Sequence, residues 1–316
     1  MIDTLAIQAV FERSLKLKRH ESCLIVTDTV QEAIARPFFE YAQNLCLKSH
    51  IEVMPPSAEH GAEPSASVAQ EMLQYDVQLL ITQKSISHTK ARRDAKECGA
   101  RIASMPMITE EIANRCLNVD YEAVRERSLR LHNCLVQAKQ IVITTALGTD
   151  ITFERGERKI YHGDGGIFDY RGAFGNLPEG EVSLAPINAN GVYVVDASIP
   201  TFGKLLAPLT FSVSGGKVND ITGDKSDTLK AILDAIGENA YIVAELGIGT
   251  HPTARVTGIV LEDEKVLGTC HIACGNDLSF GGTNNVPIHL DGVITKPTIV
   301  VDGKKIMENG TPLGWR

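Results

Sequence analysis

The sequence predicts an α/β protein, with an N-terminal, mostly parallel α/β domain over residues 1–138 and an α+β domain dominated by antiparallel sheet over residues 139–316. In the first part, short apolar runs alternate with stretches of helical periodicity, which is how crossover units that cover a parallel sheet on both faces are written. After about residue 138 the helical spacing gives way to short alternating runs between Gly-rich turns, the mark of antiparallel strands. A chain of 316 residues is long enough to bury a core in each part.

Taken in order, residues 4–19 place Leu5, Ala9, Val10, Phe11 and Leu15 on one broad helical face. A strand is expected over 23–28, a helix over 30–46, a strand over 51–54, a helix over 67–74 and a strand over 77–82. A helix over 89–98 ends at Gly99, which is suited to the left-handed cap, and a strand over 101–105 and a helix over 122–137 follow. The polar, Pro-containing run 55–64 reads as an exposed loop. In the second part, strands over 141–145 and 150–153 form a hairpin turning at Gly148. Further strands are expected over 181–184, 191–197, 209–213, 253–261 and 298–301, with a helix over 225–235.

Several functions are excluded at this level. The first strand is followed by Thr27, Asp28, Thr29, Val30 and Gln31, not by a Gly-rich phosphate loop, so a dinucleotide site is not expected. A net charge of -8 with scattered basic residues argues against a nucleic-acid partner. Seven cysteines without a Cys-x-x-Cys pair suggest neither a disulfide framework nor a zinc ribbon, and point to a reducing, cytoplasmic compartment. No apolar run has signal-peptide or membrane-span length, so a soluble, unprocessed protein without a membrane partner is expected.

The chemistry concentrates in ligand-type side chains set among small and apolar residues: Glu181, Glu245, His271, and the pair His289 and Asp291. Carboxylate and imidazole suit divalent first-row ions, and His289-x-Asp291 on an extended strand would hand two ligands to one ion. Each residue also has a plainer reading. Glu245 would serve as a salt-bridge partner, with Arg255 available, His271 as a core histidine, and His289-x-Asp291 as part of a solvent face. In the first domain, His88 and Arg92 lie where a strand ends and a helix begins, the end at which parallel sheets contact ligands. That makes His88 a candidate catalytic group and both residues candidates for substrate binding, unless Ser87 or Thr89 merely caps the helix. The run Glu262, Asp263, Glu264, Lys265 reads most simply as a charged turn, with support of metal ligands as the alternative.

A linked series of motifs runs through residues 170–310. It comprises Asn176-Leu177-Pro178-x-Gly180-Glu181-Val182, Glu245-Leu246-Gly247-Ile248-Gly249-Thr250, Asp263-Glu264-Lys265, Gly268-Thr269-x-His271-Ile272-Ala273, and His289-x-Asp291. In that order they resemble the thermophilic metallo-aminopeptidases, the aminopeptidase T and aminopeptidase S group. The resemblance implies a homodimer with two divalent ions (Zn, Co or Mn) on Glu181, Glu245, His271, His289 and Asp291, a metal-bridged water as nucleophile, and release of N-terminal residues from a short peptide. Two departures stand against it. The position seven residues after His271, where that family has a tyrosine, is Leu278, which can neither bind an ion nor donate to an oxyanion. The stretch between His271 and His289 is also short.

The same motifs resemble the non-haem iron 2,5-dihydroxypyridine dioxygenases. That resemblance implies one Fe(II) on His271, His289 and Asp291, with Glu181 as an acid/base group and a small aromatic as substrate. Of these readings the two-ion hydrolase is the first expectation, because Glu245 supplies a fifth ligand-type group. The mononuclear dioxygenase is the alternative. A non-catalytic small-molecule binder, suggested by Leu278, is the third.

Overall fold

The computed structural model describes residues 1–315. The apolar runs of the first part become strands buried on both faces, which only a covered parallel sheet accommodates: Ser22–Asp28, Val77–Ile81 and Arg101–Ser104 are almost wholly buried. Five parallel strands stand in the order Lys48–Met54, Ser22–Asp28, Val77–Ile81, Arg101–Ser104 and Phe174–Asn176. The helices Glu32–Leu45, Ala66–Met72 and Lys90–Cys98 supply the crossovers. The last of these is capped at its start by the Thr89 hydroxyl and ended by Gly99 at φ 102°, as its sequence requires. The N-terminal helix is less regular than its spacing suggests: Thr4–Gln8 is α, and Ala9–Ser14 widens into a π turn.

The chain divides into one unit of Met1–Val124 with Asp164–Glu179 and a second of Arg125–Gly163 with the chain from Gly180 onward. The sequence suggests a single boundary after residue 138. The structure differs because residues 164–179 return to the first unit, where Phe174–Asn176 adds the fifth parallel strand beside Arg101–Ser104.

The second unit is built from two antiparallel sheets. In one, eight strands run from Lys217–Gly223 through the hairpin Gln140–Thr144 and Asp150–Glu154 to Thr311–Pro312. In the other, seven strands run in the order Gly203–Lys204, Ser198–Ile199, His289–Thr295, Thr269–Gly275, Val243–Gly249, Glu181–Leu184 and Ile160–Tyr161. Ile141, Phe153 and Phe211 from the first sheet and Leu246, Ile272 and Ile294 from the second join one buried apolar cluster, so each sheet gives one face to a shared core. The helix Ser226–Ile236 adds Leu229 and Leu233 to it. All seven cysteines are free thiols, and among the described residues no helix is long and apolar enough to cross a membrane.

The strand expected over 253–261 is absent. Pro252 precedes the run and Gly258 interrupts it, and its amides are taken by side chains: Glu262 accepts from Arg255 N at 2.8 Å, and Asp263 from Thr257 N at 2.6 Å and Gly258 N at 2.8 Å. Residues 250–268 therefore form a partly exposed loop with the one-turn helix Val260–Asp263.

Candidate metal centre

Four adjacent strands of the seven-stranded sheet carry the centre. Their register sets Gly249 opposite Glu181, Gly247 opposite His271, and Ala273 between Glu245 and Asp291. Because side chains alternate along a strand, this register sends Glu181, Glu245, His271, His289 and Asp291 to one face and the core residues Val182, Leu246, Ile248, Ile272, Leu290 and Ile294 to the other. A bulge between Val243 and Glu245 brings Glu245 into phase. Small residues clear the space between the functional ones. A Cβ at Gly247 would stand 2.0 Å from His271 Nε2, so only glycine leaves room for the imidazole to lie across the neighbouring strand.

Glu245 is the hub. Its carboxylate is 2.9 Å from His289 Nε2 and 3.6 Å from His271 Nε2. His289 Nε2 is also 3.3 Å from Asp291 Oδ1, and His271 Nε2 is 3.6 Å from Glu181 Oε2. His289 Nδ1 lies 2.7 Å from the carbonyl of Asn276, to which it must donate, and this turns Nε2 towards the carboxylates. Phe280 stacks on the His289 ring at 5.3 Å between centroids, and Tyr161 meets the edge of Phe280 at 6.0 Å. Thus five of the residues singled out in the sequence come together. Arg255 is not the partner of Glu245; the two histidines take that place.

Two further residues, Glu264 and Lys265, join the centre, as the alternative reading of the run 262–265 has it. The run 262–265 is no exposed turn: Glu262, Asp263 and Lys265 are buried. Lys265 Nζ lies 2.6 Å from Glu181 Oε1 and 2.7 Å from Glu264 Oε1. Glu264 in turn groups with His271 and Asp291, their ligand-type atoms all within 4.8 Å of one another.

The electrostatics follow from crowding carboxylates in a dry place. Burial opposes ionisation of Glu245, yet hydrogen bonds from His271 and His289 outweigh it and hold its carboxyl well below the usual range. Burial likewise opposes the imidazolium of His271, but the hydrogen bond and charge of Glu245 push it up to about 9. His289 is raised further above its ordinary value, against burial, by Asp291 and Glu245. Burial, reinforced by repulsion from Glu181 and Asp291, pushes Glu264 up to about 8 in spite of Lys265. A field that draws protons onto both imidazoles also favours a divalent cation, whose binding would release them.

The residues fit a metal. Two imidazoles with carboxylates are a donor set for first-row divalent ions, and one imidazole already has its outer nitrogen held by a carbonyl, as metal-binding histidines do. Glu181 Oε2 is buried and without a hydrogen-bond partner, in keeping with an oxygen reserved for a ligand.

His88 and Arg92 belong to the first unit. Arg92 is buried, donates through Nε to Ser87 O at 2.6 Å and lies 4.0 Å over the ring of Phe174. Burial lowers its pKa to about 10. His88 is exposed, one residue before the Thr89 cap. Leu278 is also exposed and opens the short helical turn that carries Phe280.

The family model of NicX, 2,5-dihydroxypyridine 5,6-dioxygenase, matches residues 6–313. The chain belongs to the NicX family. Among solved structures, the fold is similar to that of 2,5-dihydroxypyridine dioxygenase from Pseudomonas putida KT2440, with a TM-score of 0.83 at 19% identity over 98% of this chain and 96% of that one. It is also similar to wild-type AmpT from Thermus thermophilus, with a TM-score of 0.69 at 16% identity over 98% of both chains. At such identities the likeness is one of fold. A search of curated protein sequences finds no match. Both relatives that the motifs suggest are thus present, and membership of the NicX family favours the dioxygenase over the hydrolase.

Proposed function

We propose that this NicX-family chain is a ring-cleaving dioxygenase of a dihydroxypyridine-type aromatic, with one Fe(II) held by His271, His289 and Asp291. The observation that carries the reading is the place of Asp291, which lies 3.3 Å from His289 Nε2 and within the 4.8 Å group that contains His271. Two histidines sharing one carboxylate suit a facial triad with open positions. The ion would supply the one-electron chemistry that allows ground-state dioxygen to react with an electron-rich ring.

The chain's own residues have separable tasks in this reading. Asn276 O holds the His289 ring by Nδ1, fixing which nitrogen faces the ion. Glu181 is held through Oε1 by Lys265, while Oε2, 3.6 Å from His271 Nε2, accepts no hydrogen bond and is available to take the proton of a ring hydroxyl. Phe280 and Tyr161 offer aromatic surface beside His289 that suits a flat substrate.

Glu245 supports a second reading. It reaches both histidines, as a ligand shared by two ions in an aminopeptidase-like hydrolase would. Oxygen uptake by anaerobically Fe(II)-loaded protein on adding 2,5-dihydroxypyridine separates the two. Uptake that disappears in His289→Ala and largely survives in Glu245→Gln is expected. Absence of uptake together with cleavage of aminoacyl anilides would overturn the proposal.

A further inference from the structure

Three ligand-type groups overlap in the centre: Glu181 with Glu245 and His271, Glu245 with His289 and Asp291, and Glu264 with His271 and Asp291. Counted as donors, they would serve two ions, which in two-metal sites stand roughly 3.5–4 Å apart and share carboxylates. What sets this centre apart is the cation that the chain itself supplies. Lys265 Nζ is 2.6 Å from Glu181 Oε1 and 2.7 Å from Glu264 Oε1, with its side chain 1% exposed. An ion bridging those two oxygens would fall on the ammonium nitrogen. Nor is the lysine free to swing away, because its side chain is buried and held by both carboxylates, on a backbone whose N–H donates to Glu262 O at 3.0 Å and whose carbonyl accepts from His251 N at 2.8 Å.

We propose that the Lys265 ammonium occupies the second cation position of this centre, so that the chain takes one divalent ion and Lys265 decides the metal stoichiometry. The inference rests on the metal-dependent reading above and is independent of the substrate. Charge supports it. The carboxylates of Glu181, Glu245, Glu264 and Asp291 carry at most four negative charges, against one on the ammonium and two on a single divalent ion. A second divalent ion beside the ammonium would turn the buried site positive, which burial penalises. The donors of the proposed triad, His271, His289 and Asp291, suffice for one ion.

The test is titration of metal-free protein with Mn(II), read as tight equivalents per chain, with circular dichroism to confirm folding. The wild type and Lys265→Arg, which keeps the charge, are expected to bind one equivalent and Lys265→Gln two; should Lys265→Gln fail to fold, Lys265→Met carries the same expectation. Two tight equivalents in the wild type, or one in the folded neutral variant, would overturn the inference. One equivalent in the wild type without oxygen uptake would instead count against the dioxygenase reading alone.

Discussion

Gly247 shows how closely single residues are fitted to the centre. With a Cβ only 2.0 Å from His271 Nε2, Gly247→Ala must turn the imidazole or part the strands. We expect roughly a tenfold to hundredfold loss of metal affinity, the usual effect of disturbing the support of a metal ligand, measured by competition with a chelator. Unchanged affinity would show that His271 is not a ligand. The same scale explains what the sequence reveals and conceals. Glu245 and His271 stand out as ligand-type side chains among small and apolar residues, and His289 and Asp291 because a spacing of two shares a strand face. Glu264 and Lys265 stand out less, because a run of four charges reads most simply as a turn, with support of metal ligands only as the alternative, until tertiary structure buries Lys265. The stacking of Phe280 on His289 leaves no trace in the sequence, since it depends on where a short turn folds back.

At the scale of elements, the first unit ties its N-terminal helix to its sheet through one buried ion pair. Arg101 donates to both oxygens of Glu21, at 2.7 and 2.9 Å, and through Nη2 to Leu15 O at 3.0 Å. Breaking such a pair leaves a charge without its partner, so Arg101→Met should cost about 3 kcal/mol in denaturant melts. The pH dependence has a definite sign. The hydrogen bond from Arg101 holds the Glu21 carboxyl below its ordinary value despite burial, so the pair's stabilisation is present above the unfolded value of about 4.3 and is lost as pH falls through the lower folded one. The stability gap between wild type and variant should therefore narrow below about pH 4. A gap that widened there would contradict this account. The strands of the first unit were legible because parallel strands buried on both faces are written as apolar runs. Val243–Gly249 and Thr269–Gly275, which carry the centre, were not expected as strands, because Gly, Ala and Cys have little strand preference and the site needs them small. Conversely, Thr253 to Leu261 looked like a strand, and loses its ladder to the carboxylates of Glu262 and Asp263.

At the scale of the whole molecule, the α/β character, the parallel first sheet and the antiparallel second part followed from periodicity alone. The return of residues 164–179 to the first unit did not, because a three-residue strand such as Phe174–Asn176 gives too short a pattern to read. Motif order carried more than any single motif, and it led to two families with one fold, of which the NicX match covers nearly the whole chain. The account turns on whether oxygen from dioxygen or from water enters the product. Turnover of 2,5-dihydroxypyridine by the Fe(II)-loaded protein under isotopically heavy dioxygen, followed by mass spectrometry of the ring-opened product, reads this directly. Both heavy atoms in the product are what the one-ion dioxygenase predicts; label entering only from heavy water, as hydrolysis requires, would contradict it.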